Sequence, residues 1–193
     1  MTVMLDMVLA SVLVGIIILT VMNVNINLSD ENYRGMVEYH TQSETIQLAR
    51  IIEFDFFKMG YRQTARPFIS IAESSHIKFT SNLKDAAGTT DVIEYGLGAL
   101  VLNSKNPRDK MLYRIENISK VYINYSVILF KLIYYNSRDS ILNAPITGAL
   151  RDSIKSIKVQ LMLESPEPFD TARVGGRQYA HAMYSKLIFP RNL

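Results

Sequence analysis

The rhythm of apolar positions changes twice along the chain. From Met7 to Met22 the sequence reads MVLASVLVGIIILTVM, sixteen residues without a charge, and Met1–Leu5 continues the apolar run beyond Asp6. A helix of about 22 residues rises about 33 Å, enough to cross the roughly 30 Å hydrocarbon core of a bilayer. The pattern therefore predicts a transmembrane helix. A cleaved secretory signal would want a basic opening and a small-residue cut site, and a buried core helix is the other competing reading. No Lys or Arg precedes the segment, so flanking charge does not set its orientation, and a basic leader is expected upstream of Met1.

A polar stretch, Asn23–Ser29, follows and is expected to loosen the helix at Asn23, Asn25 and Asn27. Residues 30–59 then contain no proline and only Gly35, with apolar positions at helical spacing. Ile46, Ala49, Ile52 and Phe56 form one stripe, widened by Leu48, Ile51 and Phe57, while Glu44, Gln47, Arg50, Glu53 and Lys58 point elsewhere. The predicted packing surface between helix and head is thus Ile46, Ala49, Ile52 and Phe56. Gly60 is a natural stop and Lys58 supplies the favourable late positive charge.

Beyond Arg62 the period becomes that of strands separated by turn signals. Predicted strands are Phe68–Ala72, His76–Thr80, Val92–Tyr95, Met111–Glu116, Val127–Tyr135, Ile154–Glu164 and Gln178–Phe189. In the sixth, Ile157, Val159, Leu161 and Leu163 alternate with Lys158, Gln160, Met162 and Glu164, giving one buried and one exposed face. Loops are expected at Asp85–Gly88, Asn103–Lys110, Asn136–Asp139 and Glu164–Gly176. The predicted organisation is a membrane half of the helix at 1–29, an amphipathic half at 30–60 and a β-rich head at 61–193. The fold class is α+β, with a long N-terminal helix packed on an antiparallel sheet.

Composition changes this picture in few places. The chain has 193 residues, room for one domain and one extra element. Net charge is +3 and the cations are scattered from Arg34 onward, so no nucleic-acid partner is predicted. With no cysteine, thiolate zinc sites, disulfides and cysteine nucleophiles are excluded. The chemically distinctive residue is Asp6, because a carboxylate inside a membrane helix costs about 2.5–3.5 kcal/mol. It is expected to pair with a cation or an α-amino group on another copy when helices pack. The plainer alternative places it at the interface, eased by the positive end of the helix dipole.

These residues together resemble the type IV pilin-like proteins, specifically the W-type minor pilins and pseudopilin J of type II secretion. Thr2-Val3-Met4-Leu5-Asp6 followed by Gly15 matches the signature and spacing with which that family opens. Leu48–Arg62 (LARIIEFDFFKMGYR), Leu112-Tyr113-Arg114, Phe130–Asn136, Ser156–Glu164 and the closing Pro190-Arg191-Asn192-Leu193 are similar to later stretches of W-type pilins. Two departures stand out: Asp6 occupies a position where the family nearly always has glutamate, and the residues from Met1 do not include the family's basic leader ending in glycine, which is expected upstream. The resemblance implies a structural, non-enzymatic subunit, held by a single-pass helix in a bacterial inner membrane and then moved into a periplasmic or extracellular filament. It implies assembly roles for Asp6, Thr2, Leu5 and Gly15, and processing with N-methylation at Met1 or Thr2. The implied partners are other pilin or pseudopilin subunits, the lipid bilayer, an inner-membrane assembly platform and a prepilin peptidase.

The remaining motifs carry little chemistry. His40, His76 and His181 lack metal-ligand spacing, so no metal and no cofactor are predicted. Gly96-Leu-Gly98 and Gly175-Gly176 are read as turns. Ser74-Ser75-His76 is not flanked as a nucleophile elbow. Asn117-Ile-Ser119 and Asn124-Tyr-Ser126 match a glycosylation sequon but are read as strand residues. The Lys84–Asp91 loop is read as a polar turn ahead of a calcium loop. The competing class is a single-span, membrane-tethered binding or sensor module of the cell envelope.

Overall fold

A computed structural model describes residues 2–169 and 177–193. Helix α1 spans Thr2–Phe57, unbroken through the asparagines expected to loosen it. Eight strands follow among the described residues: β1 (Ile69–Ala72), β2 (His76–Ser81), β3 (Asp91–Leu100), β4 (Lys110–Glu116), β5 (Ser119–Tyr135), β6 (Ile141–Leu142), β7 (Ser156–Glu164) and β8 (His181–Ile188). All pairings are antiparallel, in the order β1-β2-β3-β4-β5-β7-β8, with β6 attached to β5. The class is α+β.

Contacts divide the chain into two units, Met1–Val37 and Glu38–Leu193, so the helix runs through both. The division falls inside the predicted amphipathic half because residues from Glu38 onward contribute side chains to the sheet's core. Thr41, Thr45, Leu48, Ala49, Ile52, Asp55, Phe56 and Met59 are all buried, a face that follows the helical period. Ala49, Ile52 and Phe56 are therefore where the pattern places them. Ile46 is not: it is 53% exposed. The buried face runs through Thr45 and Leu48, leaving Ile46 at its flank. Ile51 and Phe57 are likewise exposed, at 44% each.

Phe56 packs edge-on against Phe79 of β2 and Tyr95 of β3, ring centroids 5.7 Å away in both cases. Burial of Ile52 and Phe56 stabilises by about 1.5–3 kcal/mol each. After the helix ends, Gly60 adopts φ 69° and donates its N–H to the Thr80 carbonyl at 2.9 Å. A Cβ there would come within 2.9 Å of the Phe68 ring, so glycine is required by conformation and by space.

The sheet departs from the predicted strands where cross-strand packing overrides local signals. β5 starts eight residues before Val127 because Ser119–Val127 pairs with β4, while Val127–Tyr135 pairs with β7 along the opposite edge. The β4–β5 turn is made by Asn117 at φ 58°, whose side chain accepts from Val92 N–H at 2.9 Å and donates to Asp91 at 3.1 Å. β3 continues to Leu100, straight through Gly96 and Gly98. Those glycines are strand residues and not turns. The reason is Tyr113, whose hydroxyl would lie 2.2 Å from a Cβ at Gly96, so only glycine admits the ring lying across it. In β7, Ile157, Val159, Leu161 and Leu163 are buried, but so is Glu164, against the expectation that it faces water. It accepts from Asn106 at 2.8 Å and Arg108 at 2.9 Å. The short β6 and a 3-10 turn at Gly148–Ser153 have no signal in the sequence pattern. The Glu164–Gly176 loop extends beyond the described residues, and the Gly175-Gly176 pair lies wholly outside them, as does Met1.

Candidate assembly surface and polar lock

Within the first unit, the helix from Met7 to Met22 carries no charged side chain and presents an apolar surface. Its most apolar 18-residue window has mean hydropathy 2.6 and none of it is buried. Leu5 is 71% exposed, as is Val3, and Val12, Leu13, Val14, Ile16, Ile17 and Ile18 are all more than half exposed. Such a surface is incompatible with water, while length and composition suit a lipid core. A single-span membrane helix is what this element is able to form.

Thr2 opens the helix, and Asp6 lies one turn further on, exposed and without a partner among the described residues. Gly15 has open space within 4 Å of where a Cβ would be. Nine residues separate it from Asp6, two and a half turns, so the two stand on opposite faces and are not brought together. Ser11, however, precedes Gly15 by four residues and shares its face, and its hydroxyl is turned back onto the Val8 carbonyl at 2.8 Å. Two small residues at that spacing let a neighbouring helix backbone approach closely.

In the second unit, a polar lock lies beneath the helix. Asp55, 2% exposed, accepts from Arg114 Nε on β4 and from the Tyr95 hydroxyl on β3, both at 2.6 Å. Arg114 also donates to Glu116 at 2.8 Å, and Glu116 meets Lys84 at 3.3 Å. Burial works against the charged Arg114, but hydrogen bonds to Asp55 and Glu116 outweigh it and push its pKa up. Burial, then the Asp55 charge, push the Tyr95 hydroxyl well above its ordinary value. Arg114, followed by burial acting in the opposite sense, leaves Glu116 below the usual carboxylate range. At the helix flank, Glu53 takes hydrogen bonds from Tyr184 and from Lys186 of β8, the latter at 2.7 Å. Burial opposes its ionisation, yet these donors hold its pKa down.

The pattern misses this lock because Asp55 is a polar residue inside an apolar stripe. A carboxylate three positions past Ile52 and just before Phe56 signals a buried cation, but spacing does not name Arg114, 59 residues away.

His40 is exposed on the helix, and His181 is exposed at the start of β8. His76 meets Glu94 at 3.0 Å and Glu73 at 3.6 Å. Ser74 offers its carbonyl to Leu132 N–H at 2.7 Å, and Ser75 offers its carbonyl to Leu97 N–H at 3.2 Å. In the Lys84–Asp91 loop, Asp91 is buried, accepting from Leu83 N–H at 3.0 Å, and Asp85 faces Lys58 at 3.7 Å. Asn124 lies within β5 and accepts from Ser126 N–H at 2.6 Å. No protein-family model matches the chain, and no curated protein matches it either.

Proposed function

We propose that the chain is a minor-type subunit of a type IV pilus-like filament or of a secretion pseudopilus. The observation that carries this reading is one 56-residue helix with two unlike halves. The part up to Met22 is apolar but for one carboxylate, Asp6, and the part from Thr41 is seated on an antiparallel sheet with a buried ion pair. An anchor needs the first half only. A subunit that must be drawn out of lipid while its head keeps its fold needs both. Transfer from lipid to a bundle of like helices keeps the apolar side chains in an apolar medium and gives Asp6 a partner, a neighbour's N-terminal amine. Ser11 and Gly15 suit the close helix contacts of such a bundle. In this reading the chain resides in a bacterial inner membrane, is processed by a prepilin peptidase and N-methylated, and is delivered by an inner-membrane platform.

The test is mass spectrometry of the native N-terminus, combined with the distribution of the protein between membrane and sheared extracellular material. A processed, N-methylated chain in the sheared fraction supports the proposal. An unprocessed chain confined to the membrane points instead to a tethered binding module.

A further inference from the structure

The two edges of the sheet are treated differently. β1 is four residues long, its pairing with β2 is broken by a bulge, and the Ile146 N–H caps its Ala72 carbonyl at 2.9 Å. These are ordinary ways of blunting an edge. β8 has none of them. It runs eight residues in unbroken register with β7, contains no proline, and has no second strand partner among the described residues. Its exposed side chains include Met183 at 57% and Leu187 at 38%, and Phe189 just beyond it is 58% exposed. An edge this long, regular and apolar is a template for another strand.

The space beside that edge has a matching shape. Tyr184 and Lys186 both reach Glu53, so they define the face of β8 that looks toward the helix. Two hollows lie along this side, one of about 190 Å³ at Ile46, Ala182 and Tyr184, the other of about 560 Å³ at Phe54, Phe57, Leu187 and Phe189. Helix residues form one wall of each, Ile46 of the smaller and Phe54 and Phe57 of the larger. Side chains on one face of an extended chain recur every other residue, and i to i+4 spans about 13 Å, the length of β8 between Tyr184 at the smaller hollow and Ile188 at the larger. A strand added to β8 would thus set alternate side chains into both hollows, whereas a helix would leave the backbone groups of the β8 edge unpaired.

Charge selects the occupant further. The larger hollow is walled by Arg50, Lys58 and Lys186; Lys186 meets Glu53 at 2.7 Å and Lys58 meets Asp85 at 3.7 Å, while the Arg191 guanidinium sits 4.9 Å over the Phe57 ring, so the cations outnumber these two carboxylates. We propose that β8 and the groove beside it dock an extended segment of a partner protein, with alternating apolar side chains and acidic residues among them, by strand addition. This does not rest on the filament reading, since a tethered module would use the same edge.

The experiment displays a random nine-residue peptide library against the full chain in detergent micelles, with counter-selection on an Arg50→Glu/Lys186→Glu variant. Phe54→Asp places a carboxylate in the larger hollow without touching the Glu53 pairs and serves as a second variant. The proposal expects enriched peptides that alternate apolar and polar residues and carry carboxylates. It expects their binding to slow hydrogen exchange at alternate amides of His181–Ile188 at least about tenfold, and each variant to weaken binding by about tenfold. Failure to enrich any peptide, enrichment of basic or helix-forming peptides, or protection of a different element would overturn it.

Discussion

Asp6 and Asp55 stand on the same helix and meet opposite circumstances. Asp55 is buried and hydrogen-bonded to Tyr95 and Arg114. Asp6 is exposed among apolar side chains that are themselves exposed. Within a single folded chain, one carboxylate has its partner and the other has none among the described residues. The difference teaches where each part of the helix completes its interactions: the second against its own sheet, the first against none of the described residues. Lipid satisfies the apolar side chains of the first half, but not the carboxylate.

That contrast is open to attack at both aspartates. The largest effect is expected from Asp55→Ala, which strands Arg114 beside the core and should lower the unfolding free energy by about 3–5 kcal/mol in denaturant titrations of the full chain in detergent. A loss below about 1 kcal/mol would mean that the pair does not hold the helix to the sheet. Replacing both partners, Asp55→Leu with Arg114→Met, should recover part of the loss, because no uncompensated charge is then left behind. Next in size is Gly96→Ala, expected to cost about 1–3 kcal/mol as Tyr113 is forced off the strand. Tyr113→Ala in the same chain should relieve that clash, a coupling readable in a double-mutant cycle.

A smaller effect concerns pH. Glu116 has a depressed pKa in the folded state, so its contribution is full above the ordinary carboxylate range and is lost as pH falls through the folded value. Stability should therefore decline below about pH 4.3, by no more than about 1 kcal/mol from this partly exposed group. Glu116→Gln should flatten that part of the pH profile. Smallest for stability is Asp6→Ala, expected to change unfolding of the Glu38–Leu193 unit by less than about 0.5 kcal/mol. It should leave membrane insertion intact while lowering co-purification with other subunits. Equal co-purification would remove Asp6 from assembly.

Much of the fold is legible in sequence because its signals are local. The uncharged run fixes the first half of the helix, and β7 announces itself through Ile157, Val159, Leu161 and Leu163. What cannot be read depends on partners distant in sequence. Gly96 and Gly98 look like turn residues until Tyr113 is seen lying across one of them. Glu164 looks solvent-facing until Asn106 and Arg108 arrive from the β3–β4 loop. Ile46 fits the stripe by type, but the helix phase is set by Leu48 and by Thr41 and Thr45, polar residues that pattern reading passes over. The candidate site divides likewise: Asp6 stands out as the single charge in its segment, whereas the lock needs a helix and two strands before Asp55 acquires meaning.

The central claim is that the apolar half of the helix packs against other subunits. The most direct measurement places a photo-reactive amino acid at Val12 and identifies its adducts by mass spectrometry in membrane and sheared fractions. Lipid adducts are expected in the membrane, and adducts with the apolar helices of other subunits in the sheared material. Lipid adducts alone, with no cross-linked subunit in either fraction, would contradict it.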